Sequence, residues 1–273
     1  MKLTIAHKTC FSYQSMVRQS TQYLRQSTQY LRLTPQNSVH QQIISWDLLL
    51  PEEAICTTDT WGNVLHVLTL DRPHQEIEIE ARGVVDILDE GDSAPDPDCT
   101  LSPLVFLRHS PLTQPDAEIV HFARRYYREE APLVSLERLM GELLLKMPYQ
   151  PGSTLVTDPA EKVFAAGSGV CQDHSHVFLA CCRSLHIPAR YVSGYLYTDH
   201  VEHVATHAWV EAWVDGSWHS FDITNNTRST RQHLKLAVGV DYLDACPVRG
   251  MRLGGGSENM QAVAAVQLVF SQQ

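Results

Sequence analysis

Gly167-Ser168-Gly169-Val170-Cys171-Gln172-Asp173-His174-Ser175-His176-Val177-Phe178-Leu179-Ala180-Cys181-Cys182-Arg183-Ser184-Leu185-His186-Ile187-Pro188 is the stretch on which the fold turns. Gly167 and Gly169 give a flexible approach, Val177, Phe178, Cys181 and Leu185 recur at helical spacing, and Pro188 stops the run. The pattern predicts a buried helix that opens at Cys171. Unpaired N–H groups and the positive end of the helix dipole meet at such a start, and both favour a thiolate over a thiol. That is the environment of a nucleophile.

A nucleophilic thiolate also needs a proton carrier, and Ala205-Thr206-His207-Ala208-Trp209-Val210-Glu211-Ala212-Trp213-Val214 offers one. Strand alternation puts Ala208, Val210, Ala212 and Val214 on one face and His207, Trp209, Glu211 and Trp213 on the other. Asp215-Gly216 follows, a strong hairpin turn, and then Ser217-Trp218-His219-Ser220-Phe221-Asp222. A loop at 215 and 216 pairs residues whose numbers sum to 431, so Asp222 opposes Trp209 and lies diagonal to His207 on the same face. A loop at 214 and 215 would set Asp222 directly opposite His207. Either register lets Cys171, His207 and Asp222 converge as nucleophile, base and orienting carboxylate.

Upstream, Thr113 is the expected cap of a helix with Pro115 and Asp116 in its first turn and Ile119, Phe122, Ala123 and Tyr126 on one side. A second helix is expected over 135–146, ended by Pro148. Residues 89–103 are acidic and proline-rich and read as a linker, with a catalytic domain over 104–273. Residues 1–88 carry β-prone runs at 43–50, 64–70 and 76–82, the last alternating charged and apolar, and Trp61-Gly62-Asn63 reads as a turn. They are expected to form a β-sandwich domain. Within them Arg18-Gln19-Ser20-Thr21-Gln22-Tyr23-Leu24 is repeated at once as residues 25–31. Two copies of an odd length cannot both keep the same side chains on one face of a regular strand, so one copy is expected in a loop, bulge or extended hairpin.

Lys and Arg number 21 against 31 Asp and Glu among 273 residues, a net charge of −10, which argues against a nucleic-acid partner. No apolar run is long enough for a signal peptide core or a membrane span, so no membrane association is expected. Seven cysteines without a CxxC pair read as reduced thiols of a cytoplasmic protein.

With these residues in view, the chain resembles the transglutaminase-like superfamily. The resemblance rests on Gly169-Val170-Cys171-Gln172-Asp173, on 186–195, on Thr206-His207-Ala208-Trp209-Val210-Glu211 and on Phe221-Asp222-Ile223-Thr224-Asn225, with Cys, His and Asp in the family's order. The tail at 238–250 and Gly254-Gly255-Gly256 is similar to bacterial members with an N-terminal β domain, usually described as cysteine proteases. The chain departs from the family pattern at His174, at Ile223 and in the duplication. The resemblance implies an α+β fold with a papain-like core, in which a helix bearing Cys171 packs on an antiparallel sheet bearing His207 and Asp222.

It also implies a cysteine hydrolase or acyltransferase acting on a peptide or protein amide through a thioester, with no cofactor. Gln172, His174, Tyr195 and Trp209 are the side chains expected to meet substrate, His174 also being readable as a buried, hydrogen-bonded ring. Two other readings exist. One is a zinc site at His200, His203 and His207 with Cys171 or His176, which requires helical spacing, and the other is a binding module that keeps the fold without catalysis.

Overall fold

The computed structural model describes residues 1–17, 27–88, 93–94, 101–198, 206–252 and 256–269. The first six strands are β1 (Lys2–Val17), β2 (Ser27–Leu31), β3 (Gln41–Leu49), β4 (Ala54–Thr58), β5 (Val64–Leu70) and β6 (His74–Ile87). Alternation accounts for β6: Ile77, Ile79, Ala81 and Val85 are buried while the intervening positions reach toward solvent. Within the repeated heptads, the second copy supplies β2, and the first copy lies outside the described residues.

The central part of the chain contains β7 (Ser93–Ala94), α1 (Ala117–Tyr126), α2 (Pro132–Lys146), α3 (Ala160–Ala166), α4 (Cys171–Ser184) and β8 (Ala189–Leu196). It continues through β9 (Thr206–Val214), β10 (Ser217–Phe221), β11 (His233–Gly239), α5 (Tyr242–Ala245), β12 (Val248–Arg252) and β13 (Glu258–Leu268). Asp116, not Thr113, caps α1, its carboxylate accepting the Ile119 N–H at 2.8 Å. Thr113 is drawn inward instead, where its hydroxyl accepts from the buried Arg183 at 2.8 Å. Pro132 starts α2 one turn earlier than its apolar stripe suggests.

Five strands form one sheet in the order β11-β8-β9-β10-β7, with antiparallel pairing throughout. The part of the linker stretch that is described thus adds a short edge strand, Ala94 pairing with Trp218. α4 lies against β8, β9, α1, α2 and α3, and every residue from Gln172 to Arg183 is buried. A helix enclosed on all sides must satisfy its polar groups internally. Arg183 does so by donating to the carbonyls of Phe106, Ala189 and Val240 at 3.0, 2.8 and 2.6 Å, and burial lowers its pKa to about 10.

The remaining strands form two four-stranded sheets, β13-β1-β6-β3 and β12-β2-β5-β4, whose buried residues join one hydrophobic cluster. Each sheet takes one edge strand from the C-terminal end of the chain, which departs from the expected boundary of 104–273. β13 runs along β1 from Leu3↔Leu268 to Tyr13↔Glu258, and β12 runs along β2. The reason is edge protection: without them the backbone donors and acceptors along one side of β1 and of β2 would lack strand partners.

The β region is fastened to the five-stranded sheet at that sheet's outer strand, β11. The Gln41 amide donates to Lys235 O at 2.9 Å and accepts from Lys235 N at 2.8 Å. Asn63 repeats the pattern on Val238, with both bonds at 2.8 Å. Among the described residues no helix is long and apolar enough to cross a membrane.

Candidate active site

The site is assembled from the start of α4, the start of β9 and the end of β10. Asp173 sits in the first turn of α4 and its carboxylate reaches back to accept the Val170 N–H at 2.8 Å and the Thr154 hydroxyl at 2.7 Å. This fixes the helix start and leaves Cys171 as its first residue, partly exposed. Asp173 is therefore engaged in holding the helix start.

The hairpin has the register set by a loop at 215 and 216. Ser217 pairs with Val214 and Phe221 with Val210, and Asp215 and Gly216 both have positive φ, 50° and 80°, as the tight turn requires. Strand alternation holds on β9. Ala208, Val210 and Ala212 join the main core with α4, whereas Trp209 joins Val192 and Val238 on the other face. Asp222, one residue beyond β10, comes level with Trp209 and reaches diagonally to His207, its Oδ2 lying 2.8 Å from Nε2.

His207 and Asp222 are 8% and 2% exposed, so the bond between them is shielded from solvent. Cys171 acts on the His207 ring in the same sense as Asp222, favouring its charged form. Burial works against the charged ring, but hydrogen bonds to Asp222 and Cys171 outweigh it and lift the His207 pKa to about 10. Burial likewise works against the Asp222 carboxylate, yet hydrogen bonds from His207 and His233 hold it well below the usual carboxylate range. The two opposite displacements describe one ion pair. Cys171, His207 and Asp222 thus stand together.

Two residues that the sequence reading did not single out complete the surroundings of Asp222. Asn225 donates its side-chain amide to Oδ2 at 2.7 Å and its backbone N–H to Oδ1 at 3.2 Å. His233, the first residue of β11, places Nε2 2.8 Å from the same Oδ2. No spacing signal could have found His233, because it meets Asp222 only through the return of β11 beside β8.

The expected substrate contacts are placed differently. His174 is fully buried, its Nε2 donating to Met147 O at 2.7 Å and its Nδ1 accepting from the Thr224 hydroxyl at 2.9 Å. Burial lowers its pKa, so it is a neutral structural ring. Tyr195 is fully buried too, with its hydroxyl 2.5 Å from Nδ1 of His7 in β1, and serves the junction with the β region. Gln172 spends its amide on Val156 O at 2.9 Å. Trp209 is buried beside His207, the two rings stacked at 6.2 Å. All four side chains are buried and held by partners within the fold.

His200 and His203 lie outside the described residues, but His207 is in a strand, so the helical spacing behind a zinc site does not hold there. His207, Asp222 and His233 do bring three ligand-type atoms within 4.8 Å of one another. Their 2.8 Å contacts are those of shared protons, whereas donors around a tetrahedral metal, each about 2.0–2.2 Å from it, stand more than 3 Å apart. The arrangement fits a hydrogen-bonded carboxylate.

The family model for the transglutaminase-like superfamily core matches residues 120–223, which contain all three residues, and that for the bacterial transglutaminase-like N-terminal region matches residues 3–86. An uncharacterized protein of Mycobacterium leprae is 29% identical over 285 residues, spanning 97% of this chain and 98% of its own. One from Mycobacterium tuberculosis is 28% identical over 300 residues, spanning 97% and 91%. A crystal structure of a Cytophaga hutchinsonii protein, provisionally described as a cysteine protease, shares the fold with a TM-score of 0.75 at 23% identity. That likeness covers 99% of this chain and 92% of that one. Core and N-terminal region are matched in the same order in which the structure lays them out, and the chain belongs to the transglutaminase-like superfamily, in its bacterial branch with the dedicated N-terminal region.

Proposed function

We propose that the protein is a cysteine-dependent amide hydrolase that works through a thioester acyl-enzyme, with Cys171 as nucleophile, His207 as acid and base, and Asp222 as the group that orients His207. The observation that carries this reading is the buried Asp222–His207 bond of 2.8 Å, whose far side meets a partly exposed cysteine at a helix start.

In the ground state His207 holds its proton against the Cys171 thiolate. The sulfur attacks the substrate carbonyl carbon, and the developing oxyanion is met by the Cys171 backbone N–H, one of the first-turn donors with no partner inside the helix. His207 then gives its proton to the departing amine as the carbon–nitrogen bond breaks, leaving a thioester. Water attacks that thioester, His207 takes one of its protons, and the acid departs with the thiolate restored. Throughout, Asp222 fixes which ring nitrogen carries the permanent proton and balances the charge that His207 gains.

The other described cysteines give the contrast that makes a test possible. Burial pushes Cys182 up to about 12 and Cys246 up to about 11, and raises Cys181 well above its usual value. Brief iodoacetamide treatment at pH 6, followed by peptide mapping, should label Cys171 ahead of Cys10 and the exposed Cys56 and abolish hydrolysis of a peptide-amide library. His207→Ala should remove the preference. Labelling spread evenly over Cys10, Cys56 and Cys171 would overturn the assignment. Product formation that requires an added primary amine would convert hydrolysis into acyl transfer at the same three residues.

A further inference from the structure

Resting on that reading of the three residues, we propose that His233 is a fourth, positioning member of the site, which tempers the hold of Asp222 on His207 by sharing the same carboxylate oxygen. Oδ2 of Asp222 receives His207 Nε2 at 2.8 Å, His233 Nε2 at 2.8 Å and Asn225 Nδ2 at 2.7 Å. Three donors on one oxygen divide its charge, so each is held less tightly than it would be alone.

The environment of His233 favours this role over simple packing. His233 is 6% exposed and its ring lies edge-on to Trp209 at 5.0 Å, and Trp209 in turn stacks on His207. Among the described residues its buried Nδ1 has no hydrogen-bond partner. Burying an unpaired polar atom is unfavourable, and an apolar ring in this aromatic setting would avoid that cost. What histidine adds here is one hydrogen bond, to Asp222. Nor is the bond needed merely to aim the carboxylate, since Asn225 grips it twice, through its side chain on Oδ2 and its backbone on Oδ1.

The groups around this cluster leave the effect readable. Cys171 and His174 face it from α4, and His174 is held neutral by burial with both ring nitrogens engaged. On β9, Glu211 is enclosed between Arg190 at 2.6 Å and Lys235 at 2.8 Å, and Arg228 is bonded to Glu137 at 2.6 Å. The variable that changes on removing the His233 donor is the share of Asp222 charge offered to His207.

The test follows the His207 proton by NMR of ¹⁵N-histidine-labelled protein, with His207→Ala used for assignment, in wild type, His233→Phe and His233→Gln. The phenylalanine ring fills the space without a donor, and the glutamine amide restores a donor near the Nε2 position. The proposal expects His207 to hold its proton at least threefold more tightly in the phenylalanine variant and at wild-type affinity in the glutamine variant. Titration curves that coincide in all three proteins would overturn it. Where the phenylalanine variant fails to fold, His233→Asn, whose amide is too short to reach Oδ2, carries the same expectation and the same refutation. Failure of the underlying reading is separately visible: in wild type, iodoacetamide at pH 6 would then show no preference for Cys171.

Discussion

Replacing Asp222 with Asn keeps the shape of the carboxylate and removes its charge, and the structure says how the new amide must sit. Its oxygen has to take the place of Oδ2, where three donors converge, which leaves its NH₂ facing the backbone N–H of Asn225 at a position now occupied by an acceptor 3.2 Å away. The variant therefore trades one charge-assisted bond to His207 for a neutral one, a loss of about 1–1.5 kcal/mol, and forfeits the attraction between the carboxylate and the imidazolium. That attraction is about 4 kcal/mol for charges some 4 Å apart at the effective dielectric of about 20 that serves buried sites as well, and the neutral side chain is easier to bury, which offsets part of it. A net loss of about 2.7–4 kcal/mol corresponds to about 10² to 10³-fold in turnover. The assay is hydrolysis of the best peptide amide from the library, measured for Asp222→Asn, His207→Ala and the double variant. Because an orienting group has nothing to orient once the imidazole is gone, the double variant should be hardly slower than His207→Ala alone. Multiplying losses would refute the coupling of Asp222 to His207, as would a single variant within threefold of wild type.

A side chain at Gly194 would place Cβ 2.0 Å from Leu234 O and 2.7 Å from Trp209 Cη2, so Gly194→Ala should cost about 2–3 kcal/mol or more in denaturant unfolding, and a change under about 0.5 kcal/mol would contradict the packing described. Tyr195→Phe removes the hydroxyl that meets His7 and should cost about 1–3 kcal/mol of stability while leaving turnover per folded molecule unchanged; a raised KM would return Tyr195 to the cleft. Glu211 has its pKa depressed to about 2 against the opposition of burial, chiefly by the charges of Lys235 and Arg190. Its unfolded form binds a proton first as pH falls, so its contribution is complete above about 4.5 and is lost between there and about 2. That contribution is on the order of 3 kcal/mol, and Glu211→Gln should flatten the acid limb of a stability-against-pH curve by that amount.

What the sequence could disclose was local. The turn at Asp215-Gly216 sets its own register, and counting across it places Asp222 diagonal to His207 before any tertiary contact is considered. The start of α4 at Cys171 was legible for the same reason, since the run from Val177 to Leu185 and the stop at Pro188 are features of adjacent residues. Where two local signals competed, the choice fell to distant groups: Thr113 is a good cap by composition, but the buried guanidinium of Arg183 claims its hydroxyl and Asp116 caps the helix. Long-range pairing was the illegible part. The pattern at 258–268 can suggest a strand, but not that its partner is β1 at the other end of the chain, and His233 acquires its neighbour by the same kind of meeting.

The pairing of β1 with β13 also bears on how the molecule is made. From Val17, the end of β1, to Glu258, the start of β13, the ribosome must add 258 − 17 = 241 residues. At about 5–20 residues per second this takes roughly 12 to 48 s. During that interval the nascent chain carries β1 and β2 as open sheet edges, with donors and acceptors that their C-terminal partners will later cover. Those two edges are the surfaces by which a growing chain could be gripped by a chaperone or could join a neighbouring chain on the same message, and they close only after β12 and β13 have been made.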